Sequence, residues 1–380
     1  MSADPFAARF PLPPNATIGI LGGGQLGRMS ALAAAELGYR CHIYAPSDNE
    51  PGMLVSAART VADYEDEQAL AAFAAAVDAV TFEFENVPAR TLEILAPLVP
   101  CRPGRKALAV CQDRLQEKAF FESAGVPVAP WAAVHSEEEL RAAVARIGLP
   151  AVLKTTRLGY DGRGQAVLRS EADIAPAWER LSPRPLILEA FVPFTRELSA
   201  ICARGADGAT AVYDAVENQH RHHILDLSFA PARVPAAVAE SARAHAARVA
   251  AELELVGVLA VEFFLLPDGT LLGNEIAPRP HNSGHWTQDA CQSSQFHQHI
   301  RAVAGLPLGS TERHSDAVMR NLVGPEGMAR LPFLYSAESV SVHLYGKTAA
   351  REGRKMGHAN GLFPKDSLSQ TAETALLSKL

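Results

Sequence analysis

The stretch Pro150–Leu168 reads PAVLKTTRLGYDGRGQAVL. An apolar strand, Pro150–Lys154, closes on a lysine, a glycine-rich loop follows at Arg157–Gln165, and Ala166–Leu168 resumes a strand. The loop lacks Gly-Lys-Ser/Thr and leads into a strand rather than a helix, so it is not a Walker-type phosphate loop. A glycine-rich loop between two strands can instead fold over a triphosphate, aiming its backbone amides at the phosphates, with the root lysine as a fixed positive charge. An ordinary flexible hairpin is the other reading of the same residues. The flanks, helix Glu137–Ile147 before and helix Glu171–Leu181 with strand Pro185–Glu189 after, complete a small α+β unit.

Downstream, Glu189-Ala190-Phe191-Val192 ends a strand and could offer backbone contacts to a base edge, while Glu197 could accept from ribose hydroxyls. Strands are expected over ELSAICAR, ATAVYDAV and HHILDLSFAPA, then a long helix over Pro235–Leu253. Gly257–Leu266 and Thr270–Ile276 flank the turn Pro267-Asp268-Gly269, which gives a hairpin. That hairpin brings Glu262 nearly opposite Asn274-Glu275. Paired acids in an apolar hairpin are costly unless a cation neutralises them. With only oxygen and amide ligands, Mg²⁺ is the fitting metal.

Upstream, strand Thr17–Leu21 runs into GGGQLGR and a helix ending near Gly38, and further strands follow at Arg40–Ala45 and Asp78–Phe84. Such alternation implies a parallel sheet with right-handed crossovers. Gly22-x-Gly24-x-x-Gly27 fits the dinucleotide fingerprint, but the second strand ends Ile43-Tyr44-Ala45-Pro46 without the acid that would hold a ribose. Three readings stay open: a seat for a phosphorylated substrate at the helix N-terminus, a dinucleotide site, or a tight turn. Glu83 and Glu85, beside Asn86 at a strand's carboxyl end, are either a solvated strand end or a contact to sugar hydroxyls.

The 380 residues call for two or three domains. With 48% hydrophobic and 20% charged residues the balance is globular. A net charge of -7 excludes a non-specific nucleic-acid binder, though not a local basic pocket. Five scattered cysteines without a C-x-x-C pair read as buried thiols of a reducing compartment. Neither a signal peptide nor a run long enough for a membrane span is present, so a cytoplasmic protein without membrane partners is expected. His222, His223, His297 and His299 read as surface or structural, whereas Arg279, His281 and His285 lie in a proline-rich loop that could equally carry function. By residue type alone, Lys347 and Arg354 read as surface charges.

Glycine flap, base-edge strand and acid hairpin, in that order, resemble the ATP-grasp superfamily. The words TIGILGGGQLGRM, TFEFENV, QDR..EK, LKT..GYDGRGQ, VENQHR.HIL, NEIAPRPHNSGH and LYGK..R.GRKMGH together resemble the N5-carboxyaminoimidazole ribonucleotide synthase family, from about Thr17 to Gly361. The resemblance implies an α/β ATP-grasp fold: an N-terminal Rossmann-like parallel-sheet domain (15–115), a small α+β lid with the flap (116–190) and a C-terminal mixed α+β domain (191–375). It implies ATP contacts from Arg114, Lys154, Gly159, Tyr160, Asp161, Gly162, Arg163, Gly164, Gln165, Glu189, Ala190, Phe191, Val192, Glu197, His220, Asn274 and Glu275. Magnesium would be held by Glu262 and Glu275. Where the wider superfamily often has an asparagine two residues after the second acid, this chain has Ala277, which favours one magnesium over two. The ribonucleotide would meet Gln25, Leu26, Glu83, Asp161, Asn282, Lys347, Arg354 and Lys355. Lys154 would act on the phosphates, with Asp161 and His281 as candidates for steering the amine or its proton.

The implied reaction is ATP-dependent carboxylation of 5-aminoimidazole ribonucleotide by bicarbonate, through carboxyphosphate, in purine biosynthesis, by a homodimer. The alternatives are a formate-dependent glycinamide ribonucleotide transformylase, from which GGGQLG and NQHR point away, and a non-catalytic nucleotide-binding regulator, which would lack the metal acids.

Overall fold

A computed structural model of the chain describes residues 6–157 and 164–368, with Glu373, Leu377 and Leu380. The expected flap residues Gly159, Tyr160, Asp161, Gly162 and Arg163 lie outside the described residues. Among the described residues, no helix is long and apolar enough to cross a membrane.

Strands β1 (Thr17–Leu21), β2 (Arg40–Ala45), β3 (Ala58–Val61) and β4 (Ala79–Phe82) form a parallel sheet in the order β3-β2-β1-β4. Both faces of its centre are covered, as the continuous apolar runs require. Ile18 and Ile20 pack with Ala31, Ala33 and Ala34 of the crossover helix Gln25–Glu36, and with Phe296, Ile300 and Val303 of the distant helix Gln295–Ala304. On the other face, Leu21 and Phe82 pack with Phe73, Leu92 and Leu95. The carboxyl ends of β1 and β4 therefore meet the N-terminus of the crossover helix, where ligands of open α/β sheets bind.

A second sheet is antiparallel: β5 (Trp131–Val134), β6 (Ala151–Thr155), β7 (Gln165–Leu168) and β8 (Leu186–Ala190), in the order β5-β8-β6-β7. Lys154 pairs with Gln165 at the open end of the β6–β7 hairpin, so the lysine stands at the root of the glycine loop as read from the sequence.

Among the described residues, the third sheet has nine strands. They are β9 (Arg196–Arg204), β10 (Thr210–Val212), β11 (Val216–Arg221), β12 (Ile224–Ala230), β13 (Gly257–Leu265), β14 (Leu271–Ala277), β15 (Asp316–Val323), β16 (Val340–Leu344) and β17 (Lys355–Phe363). The antiparallel order is β14-β13-β9-β11-β12-β15-β17-β16, with β10 on β9. Two strand expectations change here. ATAVYDAV is split between β10 and β11, because the chain breaks to bury Tyr213 fully and let its hydroxyl donate to the Ser293 carbonyl at 2.6 Å. His222 and His223 form the β11–β12 turn with φ of 52° and 64°, the left-handed pair of a tight hairpin turn, rather than starting a strand.

The helix Arg114–Ser123, N-capped by Asp113, lies against β14. Close approach is possible because β14 carries Gly273, where a Cβ would come within 3.1 Å of the Phe121 ring. Phe121 is fully buried there and anchors the helix that carries Arg114, Glu117 and Lys118. We predict that Phe121→Ala costs about 3–5 kcal/mol of stability, read as a lower urea midpoint with little change in m-value. A midpoint within error of wild type would show that the helix is anchored elsewhere.

Candidate active site

The hairpin β13–β14 places Glu262 directly opposite Glu275 in the strand register, with a bulge following Glu262 that turns the two acids toward one cavity. That cavity, about 440 Å³, is also lined by Arg114, Lys154, Gln165, Glu197, His220, Asn274, His281, Asn282 and Lys355. Residues from the second and third sheets and from the helix Arg114–Ser123, with Glu85 from the loop after β4, thus converge on one space.

Its charges are strongly coupled. Burial, and then the Glu275 charge, push Glu262 up to about 7 and Glu117 up to about 8. Arg114 stands 3.6 Å from Glu275, and Glu117 accepts from the Ile276 N–H at 2.6 Å. Burial and mutual repulsion thus both disfavour the ionised acids of this hairpin, an arrangement that a bound cation relieves. Among the described residues, no cluster of three or more His, Cys, Asp or Glu side chains is placed to hold a metal ion. Two facing carboxylates suit magnesium, which takes its remaining ligands from water and phosphate oxygens.

Opposite the acids is a cationic wall. Glu189 lies between Lys154 at 3.1 Å and Lys118 at 3.5 Å. Burial opposes its ionisation, but Lys118, Lys154 and Arg114 hold its carboxyl down at about 2. The other oxygen, Oε1, is buried with no hydrogen-bond partner, as are both amide atoms of Asn282. Unmet polar atoms beside such a cavity fit a polar ligand. His220 is ion-paired with Glu197, which outweighs burial and raises the imidazole above its ordinary value. His281 is held well below its own by burial, then by Arg279, Lys355 and His220.

A second group of expected residues meets beside Lys355. Lys347 Nζ donates to Gln25 Oε1 at 2.9 Å and to the Lys355 carbonyl at 2.7 Å. Arg354 donates to the Ala349 carbonyl at 3.0 Å. Burial, followed by the nearby Arg354 charge, lowers the Lys347 ammonium to about 8. Lys347 and Arg354 are thus gathered with the first glycine loop, not scattered over the surface.

That loop differs from the phosphate seat offered by the sequence. The amides of Gly24 and Gly27 donate to the Glu83 carboxylate, the latter at 2.7 Å, so an internal acid holds the helix N-terminus. Ala190, Phe191 and Val192 line a separate groove with Leu266 and Pro267 rather than the main cavity. Leu26 packs into the core of the first sheet. His299, read as structural, is buried and bonded to Thr81 at 2.8 Å, whereas His223 lines the main cavity. All five cysteines are free, and burial pushes the thiols of Cys41, Cys101, Cys202 and Cys291 up to about 12.

Sequence reasoning missed Glu117 and Lys118 as site residues, and left Glu85, ion-paired here with Arg279, without a partner. The signal for the first two was present: in QDR..EK they stand three and four residues after Arg114, on one helix face.

A family model described as an ATP-grasp domain matches residues 119–296. A ribonucleotide synthetase preATP-grasp domain matches 15–112, and a phosphoribosylaminoimidazole carboxylase C-terminal domain matches 317–371. The N5-carboxyaminoimidazole ribonucleotide synthase of Brucella melitensis is 49% identical over 356 residues, which span 93% of this chain and 98% of that protein. The chain belongs to this family of ATP-dependent ligases. The Bacillus subtilis synthase is 44% identical, over 91% of each chain. Among solved structures, an N5-carboxyaminoimidazole ribonucleotide synthetase in complex with ADP superposes with a TM-score of 0.91 at 45% identity, covering 96% of this chain and 97% of that one. The Aspergillus clavatus synthase in complex with ADP and 5-aminoimidazole ribonucleotide gives 0.88 at 32% identity, over 96% and 98%.

The buried Glu83 makes a pH-dependent contribution. Burial raises its carboxyl from 4.5 to about 7 against the pull of the Gly27 and Gly24 amides. Since the folded value lies above the unfolded one, the stability it contributes is complete below 4.5 and is lost as pH rises through about 7. We expect wild type to lose on the order of 2–3 kcal/mol relative to Glu83→Gln between roughly pH 5 and 8. Parallel stability–pH curves for the two proteins would contradict this.

Proposed function

We propose that the chain carboxylates 5-aminoimidazole ribonucleotide with bicarbonate at the expense of ATP, through carboxyphosphate, giving N5-carboxyaminoimidazole ribonucleotide, ADP and phosphate. What carries this reading is the position of Lys355. Its side chain lines the cavity of the paired acids, and its carbonyl accepts from Lys347, which is bonded to Gln25. A nucleotide site and a second, cationic site thereby share a wall.

In this reading the ATP phosphates face Lys154 and Arg114, and Glu197 and His220 meet the ribose. Glu262 and Glu275 would hold magnesium, with Asn274 beside them. The metal, when bound, neutralises charge developing on the phosphoryl oxygens. Bicarbonate attacks the γ-phosphorus as ADP leaves, and the exocyclic amine of the ribonucleotide then attacks the carboxyl carbon, losing a proton as phosphate departs. Lys347, Arg354 and Lys355 grip the ribonucleotide phosphate, with Gln25, Glu83 and Asn282 directing its sugar and base. Carboxyphosphate is easily lost to water, so it must form and react within the shelter of the cavity. The units 15–115, 116–190 and 191–375 act as substrate platform, lid and metal-bearing body. The working form is a homodimer in the cytoplasm; a single-chain mass by light scattering would remove the dimer from this reading.

ADP should form rapidly only with MgATP, bicarbonate and 5-aminoimidazole ribonucleotide together; equal rates with formate and glycinamide ribonucleotide would overturn the assignment. Glu275→Gln, which keeps shape but loses a metal ligand, should reduce turnover by roughly a hundredfold or more with an unchanged circular dichroism spectrum. Arg354→Ala should raise KM for the ribonucleotide about tenfold, or roughly 1.4 kcal/mol, and leave MgATP binding unaltered. Equal loss for both ligands would place Arg354 outside the ribonucleotide pocket.

A further inference from the structure

Behind His281 runs a chain of buried hydroxyl and amide groups that no step above uses. Ser228 Oγ donates to Asn218 Oδ1 at 2.8 Å, Asn218 Nδ2 donates to Ser199 Oγ at 3.0 Å, and Ser199 Oγ reaches Ser283 Oγ at 2.7 Å. Ser283 Oγ lies 2.9 Å from His281 Nδ1. The three serines are fully buried and Asn218, at the edge of the cavity, is 5% exposed, so the links are made directly and not through solvent. The chain crosses β12, β11 and β9 before it reaches the loop that carries His281.

Hydrogen-bond donation along such a chain could run in either direction, and each direction would suit one tautomer of the ring. One backbone group removes the choice. The Ser283 N–H also points at His281 Nδ1, at 3.3 Å, and the ring thereby caps the short turn Asn282–Gly284. An amide N–H can only donate, so Nδ1 must present its lone pair. Ser283 Oγ therefore donates to Nδ1 as well and accepts from Ser199, which accepts from Asn218. With Nδ1 unprotonated, the neutral ring carries its proton on Nε2. That nitrogen faces the cavity, 3.5 Å from Glu262 Oε1.

We infer that Ser228, Asn218, Ser199 and Ser283 are positioning residues that hold His281 as an Nε2–H donor, aimed at an oxygen of the bicarbonate-derived acid. His281 is then not the base that takes the amine proton, because its only lone pair is already engaged by Ser283. The tautomer follows from the hydrogen bonds alone; the identity of the accepted oxygen rests on the function proposed above.

Two measurements test this. In protein labelled with ¹⁵N in the histidine rings, the His281 signals, identified by their loss in His281→Gln, should show hydrogen on Nε2 and none on Nδ1. Hydrogen on Nδ1 would overturn the relay, whatever reaction the enzyme performs. For the donor role, Gln at position 281 places an amide N–H near Nε2, whereas Asn reaches only the Nδ1 position. His281→Gln should keep kcat within about tenfold of wild type, while His281→Asn and His281→Ala should lose roughly a hundredfold. If the Gln variant is as inactive as the Ala variant, His281 is not acting as a donor. Ser199→Ala should lower kcat by about threefold to tenfold without moving KM for MgATP, since it loosens the ring and leaves the nucleotide site intact. A wild-type kcat in that variant would also overturn the relay. A reaction found to use another acid in place of bicarbonate would change the accepted oxygen and leave the ¹⁵N result standing.

Discussion

The arrangement depends on one buried cation. Lys118 is 1% exposed; its ammonium donates to the carbonyls of Gly273 and Asn274 and faces Glu189. Those partners belong to the third sheet and to the second, while Lys118 itself comes from the helix between the first and second sheets. A buried charge tolerates little displacement, because losing one partner leaves it uncompensated at a cost of several kcal/mol. The pairing therefore sets how the small sheet sits over the acid hairpin. The same Glu189 that satisfies Lys118 also fixes Lys154, so the lysine at the root of the glycine loop is held in place before any ligand arrives.

The opposing acids give the site a defined polarity. Glu262, Glu275 and Glu117 crowd one side, whereas Lys154, Lys118 and Arg114 stand toward the small sheet. Neither half is balanced internally. In the function proposed above, a magnesium–polyphosphate ligand would match both at once, the carboxylates answering the metal and the cations the phosphates. Arg114 spans the two halves, since it lies 3.6 Å from Glu275 and also contributes to holding Glu189 ionised.

What the sequence disclosed was local. The opposition of Glu262 and Glu275 could be read because a short turn fixes the register of a hairpin, and register is a matter of counting. The lysine at the root of the glycine loop was legible for the same reason. Lys118 was not, since nothing about a helical lysine announces that its acceptors are carbonyls more than 150 residues away. Glu83 was seen at the right strand end, but its bonds to Gly24 and Gly27 come from packing two strands and a helix together. His223 lay hidden because the left-handed turn that aims it is usually built from glycine or asparagine. The contact of Lys347 with Gln25 became readable only through resemblance, since 322 residues separate them.

The packing of the first sheet bears on how the chain matures. One face of that sheet is completed by Phe296, Ile300, Val303 and Tyr345, all supplied late in synthesis. As the chain leaves the ribosome, Ile18, Ile20 and Ile43 of β1 and β2 have only the crossover helix Gln25–Glu36 against them, and their cover stays incomplete until these residues emerge. Contacts so distant in sequence delay the gain that would offset chain entropy. The N-terminal unit is thus a client of its own C-terminal half, and a stalled or truncated chain would present an adhesive apolar face. Synthesis of this enzyme should place a correspondingly heavy demand on the cell's chaperones.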